Sequence, residues 1–160
     1  MKVELEALPP EPKRKLTDDE YHFIYGDKEM GRVPRVGVDM ILVKDGGVLL
    51  AMRDIEPFKG TWTLPGGGIK FGESIDEAVA RILKGELGVG VVSKRLVGVI
   101  EHYPDGPTKH TITLAYVVEP NGEPQPKSQA SELKFFTDVP ENTQPFQKEF
   151  FKKHWEEIIS

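Results

Sequence analysis

Apolar residues in this chain fall into short segments whose spacing alternates between that of strands and that of helices. Val36-Gly37-Val38-Asp39-Met40-Ile41-Leu42-Val43 is apolar almost throughout, which predicts a strand buried on both faces. Lys44-Asp45-Gly46-Gly47 has the composition of a hairpin turn, so Val48 to Arg53 returns as a second strand. Residues 54–61 read as a loop, Trp62-Thr63-Leu64 as a short strand, and Pro65-Gly66-Gly67-Gly68 as a tight turn. From Ser74 to Leu87 the period lengthens. Ile75, Ala78, Val79, Ile82 and Leu83 share one face of a helix, and Gly88 stops it. Strands are expected near 92–103 and 110–118, then a loop rich in Pro, Gln and Ser at 119–131. A last short strand covers Leu133–Phe136, and Thr143 opens a helix that runs to Ile159.

The first 15 residues, rich in Pro, Lys and Glu, predict little order. Thr17 followed three residues later by Glu20 has the form of a capping box. It predicts a short helix through about Tyr25, with Tyr21, Ile24 and Tyr25 on one side, before a loop at 26–34. No internal repeat is present. Mixed strands flanked by helices predict an α/β (α+β) fold, an α/β/α sandwich with a mixed sheet. The expected organisation is an N-terminal extension over 1–32 and one domain over 33–160.

Composition narrows the chemistry. A chain of 160 residues buries a core without covalent staples, and the absence of cysteine excludes disulfides and thiolate metal sites. The formal charge of −5 speaks against a nucleic acid polymer as partner. It is compatible with nucleotides, whose phosphates a metal and a few arginines meet locally. No apolar run reaches membrane-spanning length and the polar N-terminus lacks a signal-like apolar region, so a cytoplasmic protein is expected.

The candidate chemistry concentrates in residues 67–89, GGIKFGESIDEAVARILKGELGV. Gly67 is followed after five residues by Glu73, after seven more by Arg81, and then by Glu86, Gly88 and Val89. This spacing resembles the Nudix box, the loop and helix that bind metal and diphosphate in Nudix hydrolases. The resemblance implies the sandwich fold and Mg²⁺ (or Mn²⁺) as cofactor. It implies Glu86 and the Gly66 carbonyl as metal ligands, with Arg81 and Glu73 supporting the loop. Two carboxylates of the pattern are absent, Ile82 and Gly85 standing in their places. Carboxylates at 82, 85 and 86 would share one helix face. Glu86 alone predicts a single cation that draws much of its affinity from substrate phosphates. Gly85 costs the helix about 1 kcal/mol relative to Ala, and close approach of a ligand or a strand would offset that cost.

The run Arg81-Ile82-Leu83-Lys84-Gly85-Glu86-Leu87-Gly88 is similar to the GDP-mannose mannosyl hydrolases, a branch that lacks the same two glutamates. That branch cleaves the sugar carbon–oxygen bond rather than a phosphorus–oxygen bond. The similarity extends over roughly residues 16–150. It includes Val38-Asp39-Met40-Ile41-Leu42, Met52-Arg53, Gly60-Thr61-Trp62 and Glu101-His102-Tyr103. It implies that Asp39 contacts the sugar nucleotide, that Arg53 faces the diphosphate, that His110 and Tyr103 lie at the substrate, and that Gln129 is a metal ligand. The chain departs from the branch at Ala130, where the branch has a His proposed as general base. It departs again at Gly68, where the branch has an Arg at the diphosphate, and its loop between the two middle strands is shorter. A base must still act near the attacking water. The candidates are His102, His110, Glu132 and Asp39, with Glu132 and His102 favoured. Phe58 and Tyr103 are candidate stackers for a nucleobase, whereas Trp62 reads as core.

These features lead to a Mg²⁺-dependent hydrolase of a nucleoside diphosphate linked to another group, a nucleotide-sugar such as GDP-mannose. Two alternatives stand beside it: a pyrophosphohydrolase that uses a loop carboxylate, and a Nudix-fold module that binds a nucleotide-sugar without cleaving it. The branch resemblance also implies a homodimer, with Tyr21-His22-Phe23-Ile24-Tyr25 packing on the second subunit.

Overall fold

The described residues form ten elements. They are β1 (Arg35–Ile41), β2 (Val43–Lys44), β3 (Gly47–Arg53), β4 (Trp62–Thr63), β5 (Gly66–Gly68), α1 (Ile75–Leu87), β6 (Val91–His102), β7 (Thr111–Pro120), β8 (Ala130–Phe136) and α2 (Pro145–Ile159). The structure, a computed structural model, describes residues 14, 15, 17, 20, 33–56, 58–103, 110–127 and 130–160. The expected helix through Tyr25, its dimerising segment and Gln129 lie outside them. The capping box before that helix is formed. Thr17 N donates to Glu20 Oε2 at 3.0 Å, and Glu20 N donates to Thr17 Oγ1 at 3.2 Å.

The strand expected over 36–43 ends at Ile41, breaks at Leu42, and resumes as β2. Asp45 and Gly46 both have positive φ, the backbone of a tight two-residue hairpin, and they pair Val43 with Val48 and Lys44 with Gly47. The expected tight turn at Pro65–Gly68 is overturned, because Gly66–Gly68 forms β5, antiparallel to β1. The reason is steric. A Cβ on Gly66 would collide with the Asp39 carboxylate and the Val38 carbonyl, so only a strand without side chains lies this close to β1. β8 also starts earlier than expected, at Ala130, because its pairing with β3 continues past a bulge to Arg53.

Helix α1 begins where its cap predicts. Ser74 accepts from Glu77 N at 3.1 Å, and Gly88 closes the helix in the left-handed conformation. Helix α2 starts at Pro145, two residues later than the Thr143 expected to open it. Gln144 is its cap, accepting from Gln147 N at 2.8 Å, and Pro145 occupies the first turn, where a missing N–H costs nothing.

The strands form two four-stranded sheets, one mixed in the order β5-β1-β7-β6, the other with β3 between β8 on one side and β2 and β4 on the other. Strand β1 runs parallel to β7 and antiparallel to β5. Alternate residues of β1 and β3 enter opposite cores. Val38, Met40 and Leu49 pack with Ala78, Val79, Ile82, Leu83 and Leu87 of α1. Ile41, Val48 and Leu50 pack with Trp62, Leu64 and with Phe150, Phe151 and Ile158 of α2. Helices thus cover both sides, giving the α/β/α sandwich. Burying each large side chain contributes about 1.5–3 kcal/mol. No helix among the described residues is long and apolar enough to cross a membrane.

Position 85 tests the helix ledger. Among the described residues nothing lies within 4 Å of a Cβ placed on Gly85, so no strand offsets the cost of glycine there. Gly85→Ala is expected to raise the unfolding free energy by about 1 kcal/mol, read from the urea midpoint at unchanged slope.

Candidate active site

The close pairing of β5 with β1 brings two acidic side chains against one glycine. Glu86, near the end of α1, accepts from Gly66 N through Oε2 at 3.2 Å. Asp39, on β1, lies against the other side of the same residue and pairs with it in register. Gln147 of α2 fixes Asp39 from behind. Its Nε2 donates to Asp39 Oδ2 at 3.3 Å, and its Oε1 accepts from Leu64 N at 2.7 Å. The segment before α2 is itself stitched to β4, since Trp62 N donates to Asn142 O and Gln144 N to Trp62 O.

Both carboxyls are short of solvent. Burial pushes Glu86 up to about 7, against the Gly66 hydrogen bond and the charge of Arg53, which favour the anion. Burial, and then the charge of Glu86, pushes Asp39 up to about 8, with Gln147 opposing. A charge on Glu86 opposes ionisation of Asp39 beside it.

The loop between β5 and α1 is pinned as the box resemblance implies. Arg81 Nε donates to Glu73 Oε2 at 2.6 Å and Nη2 to Glu73 Oε1 at 2.9 Å, and Nη2 also reaches the Gly68 carbonyl at 2.8 Å. Glu73 Oε1 accepts from Lys70 N at 3.0 Å as well. The Arg81 guanidinium, with that backbone bond, holds Glu73 down at about 2.

Asp39, Gly66 and Gln147 open into a cavity of about 440 Å³, within the range of small-molecule sites. Its lining includes Arg53, Asp39 and the β5 glycines together with His102, Phe58, Gln144 and Gln147. A side cleft of about 40 Å³ carries Glu86, Arg53, Gly66 and Ala130, room on the scale of one water or ion. Ala130 is part of the wall of that cleft. Phe58 holds a positive φ of 63°, a strained conformation fastened by Thr61, whose N and Oγ1 both donate to its carbonyl. Its ring meets His102 at 5.6 Å, and His102 stacks on Phe146 at 4.1 Å, so three segments build one aromatic shelf.

The residues singled out from sequence divide accordingly. Asp39, Arg53, Gly66, Glu86 and His102 come together around the cavities. Glu132 does not line either cavity. It is exposed on β8 opposite Met52, carried there by the strand's early start. Tyr103 and His110 also stand outside the lining, stacked on each other at 5.2 Å, with Tyr103 54 % exposed. Sequence reasoning missed Gln144, Gln147 and Arg35. The glutamines sit at the start of a helix, and only the fold shows that Leu64 and Asp39 lie beside them.

The arrangement fits a divalent cation of the hard, oxygen-seeking kind. Among the described residues no three His, Asp or Glu side chains cluster as a complete ligand set. Two half-buried carboxyls beside a small cleft suit Mg²⁺, which takes one or two carboxylates and fills its sphere with water and phosphate.

Comparison with known proteins agrees with this geometry. Residues 33–155 match the NUDIX domain family. The chain is 32% identical over 142 residues to the low-salt glycan biosynthesis protein Agl8 of Haloferax volcanii, covering 84% of this chain and 88% of that protein. It is 38% identical over 104 residues to an ADP-ribose pyrophosphatase of Methanocaldococcus jannaschii, covering 64% and 62%. A MutT NUDIX hydrolase of Burkholderia pseudomallei superposes with a TM-score of 0.70 at 29% identity, covering 75% of this chain and 97% of that one.

The raised carboxyls have a measurable consequence. Asp39 and Glu86 bind protons more tightly folded than their ordinary values of 3.8 and 4.5 allow. The stability they contribute is complete below those ordinary values and is lost as pH rises through about 7 and about 8. In EDTA the melting temperature is expected to fall between about pH 5 and pH 9. Asp39→Asn should flatten that fall, and excess Mg²⁺ should reverse it in the wild type.

Proposed function

The chain belongs to the Nudix hydrolase family, and on that premise we propose that it is a Mg²⁺-dependent hydrolase of a nucleotide-sugar such as GDP-mannose, cleaving the sugar carbon–oxygen bond. The observation that carries this reading is the reduced box helix. Ile82 is buried to 5 % exposure in the core beneath Gly67, and position 85 has no side chain, so Glu86 is the helix's one carboxylate at the site. Such a site suits a reaction whose leaving group is a whole diphosphate, needing charge neutralised rather than several cations assembled around one phosphorus.

Glu86 and the Gly66 carbonyl would hold the cation, with Asp39 adjoining them. The bound cation supplies electrostatic stabilisation of the departing diphosphate. Arg53 adds a second positive charge there. Asp39, held at one oxygen by Gln147, would orient and deprotonate a water. The water oxygen bonds to the anomeric carbon as the carbon–oxygen bond breaks, and the bonding pair leaves with the nucleoside diphosphate. The shelf of Phe58, His102 and Phe146 offers a face for a nucleobase. The glycan-biosynthesis name of the Haloferax relative supports a sugar-bearing substrate.

The similarity to an ADP-ribose pyrophosphatase favours a second reading, attack at phosphorus. Products decide between them. Free mannose with GDP is expected from GDP-mannose, whereas mannose phosphate with GMP, or AMP with ribose phosphate from ADP-ribose, would move the protein to the second. Glu86→Gln is expected to lower Mg²⁺-dependent kcat/KM by about 10³-fold, and unchanged turnover in that variant would remove the central claim.

A further inference from the structure

The floor of the cavity is a strip of two parallel strands. Arg35, Gly37 and Asp39 alternate onto one face of β1. Thr111 and Thr113 of β7 stand opposite Arg35 and Gly37. Asp39 marks the end at Glu86, and Arg35 marks the other. The Arg35 backbone is anchored by its own N–H, which donates to His110 O at 2.8 Å.

The Arg35 side chain does not stay on its own strand. A Cβ placed on Gly68 would lie 2.5 Å from Arg35 Nε and 2.8 Å from Nη2. The guanidinium therefore occupies the space into which any side chain at position 68 would grow. Gly68 is its seat, and the Gly68 carbonyl is held from the other side by Arg81. Gly68 lies two residues along β5 from Gly66, about 7 Å. A diphosphate with its hydrogen bonds bridges that distance.

We propose that Arg35 is a second diphosphate-binding arginine, its guanidinium seated on Gly68 and contacting phosphate oxygens of the ligand whose other end meets Arg53 and Glu86. This rests on the nucleoside diphosphate reading above. A nucleoside diphosphate brings more than one negative charge into a cavity that already holds Asp39, with Glu86 in the adjoining cleft, and the charge of Arg53 also acts on Glu86. A planar guanidinium matches phosphate oxygens in pairs, which an ammonium does not. In this chain the cation rises from β1, and the residue of β5 beneath it is a glycine.

The test is calorimetric binding of GDP, ADP, inorganic pyrophosphate and guanosine in Mg²⁺. Wild type should bind the diphosphates more tightly than guanosine. Arg35→Ala should weaken the diphosphates by about 10- to 100-fold and leave guanosine unchanged. Arg35→Lys should fall between, and a melting curve reports whether each variant folds. Gly68→Ala, which displaces the guanidinium, should weaken the same ligands in wild type and add nothing to Arg35→Ala. Arg35→Ala combined with Gly68→Arg should restore binding. Wild-type affinity for diphosphates in Arg35→Ala, or equal loss for guanosine, overturns the assignment of Arg35 alone. Absence of any diphosphate binding by the wild type overturns the nucleoside diphosphate reading with it.

Discussion

Everything at this site depends on how closely β5 lies against β1. Three consecutive glycines let one backbone press onto another, and the middle of that contact is Gly66, touched by Glu86 on one side and Asp39 on the other. Had residue 66 any side chain, the two carboxyls would be driven apart and the electrostatic tension between them would vanish. The Arg81–Glu73 pair acts on the same strip from outside, gripping the carbonyl of Gly68 so that the glycine strand has little freedom to lift away. The functional helix and the functional strand are thus one mechanical unit, and their shared load falls on backbone atoms rather than on exchangeable side chains.

Much of this was legible in the sequence because it depends on local pattern. The Ser74 cap, the apolar face from Ala78 to Leu87 and the stop at Gly88 are encoded within one turn or a few, and they are where the helix stands. Strand β5 was not legible. A triple glycine has no periodicity of its own and reads as a turn until a partner strand supplies its hydrogen bonds. Gln147 escaped for a related reason, since its significance comes from Leu64 and Asp39, both far away in the chain. Glu132 shows the opposite error. It reads as an acid in a loop, but pairing with β3 draws it onto a strand edge and out toward solvent.

The cavity combines features that an acidic chain does not announce. Its net charge is −5, yet the walls near the carboxyl pair carry two arginines, and an aromatic shelf assembled from the loop before β4, the end of β6 and the start of α2 faces them. The strain held in Phe58 belongs to this shelf. Its left-handed backbone is kept by two donors from Thr61, which fixes the ring toward His102 instead of leaving it to the conformation a phenylalanine prefers. Charged and aromatic groups are therefore held in one pocket by different means, the first by strand register and the second by ring-to-ring packing.

The two missing box carboxylates differ in kind. Ile82 has become part of the packing between α1 and the sheet, where a methyl group would meet any side chain at Gly67 at 3.2 Å. Gly85 looks onto open space among the described residues. The two positions therefore differ in what they tolerate. A glutamate introduced at 85 starts into open space among the described residues, whereas one introduced at 82 puts a charge into a packed interior. Acidity can be added to this helix by a single substitution at the one position, and at the other only by rebuilding the core.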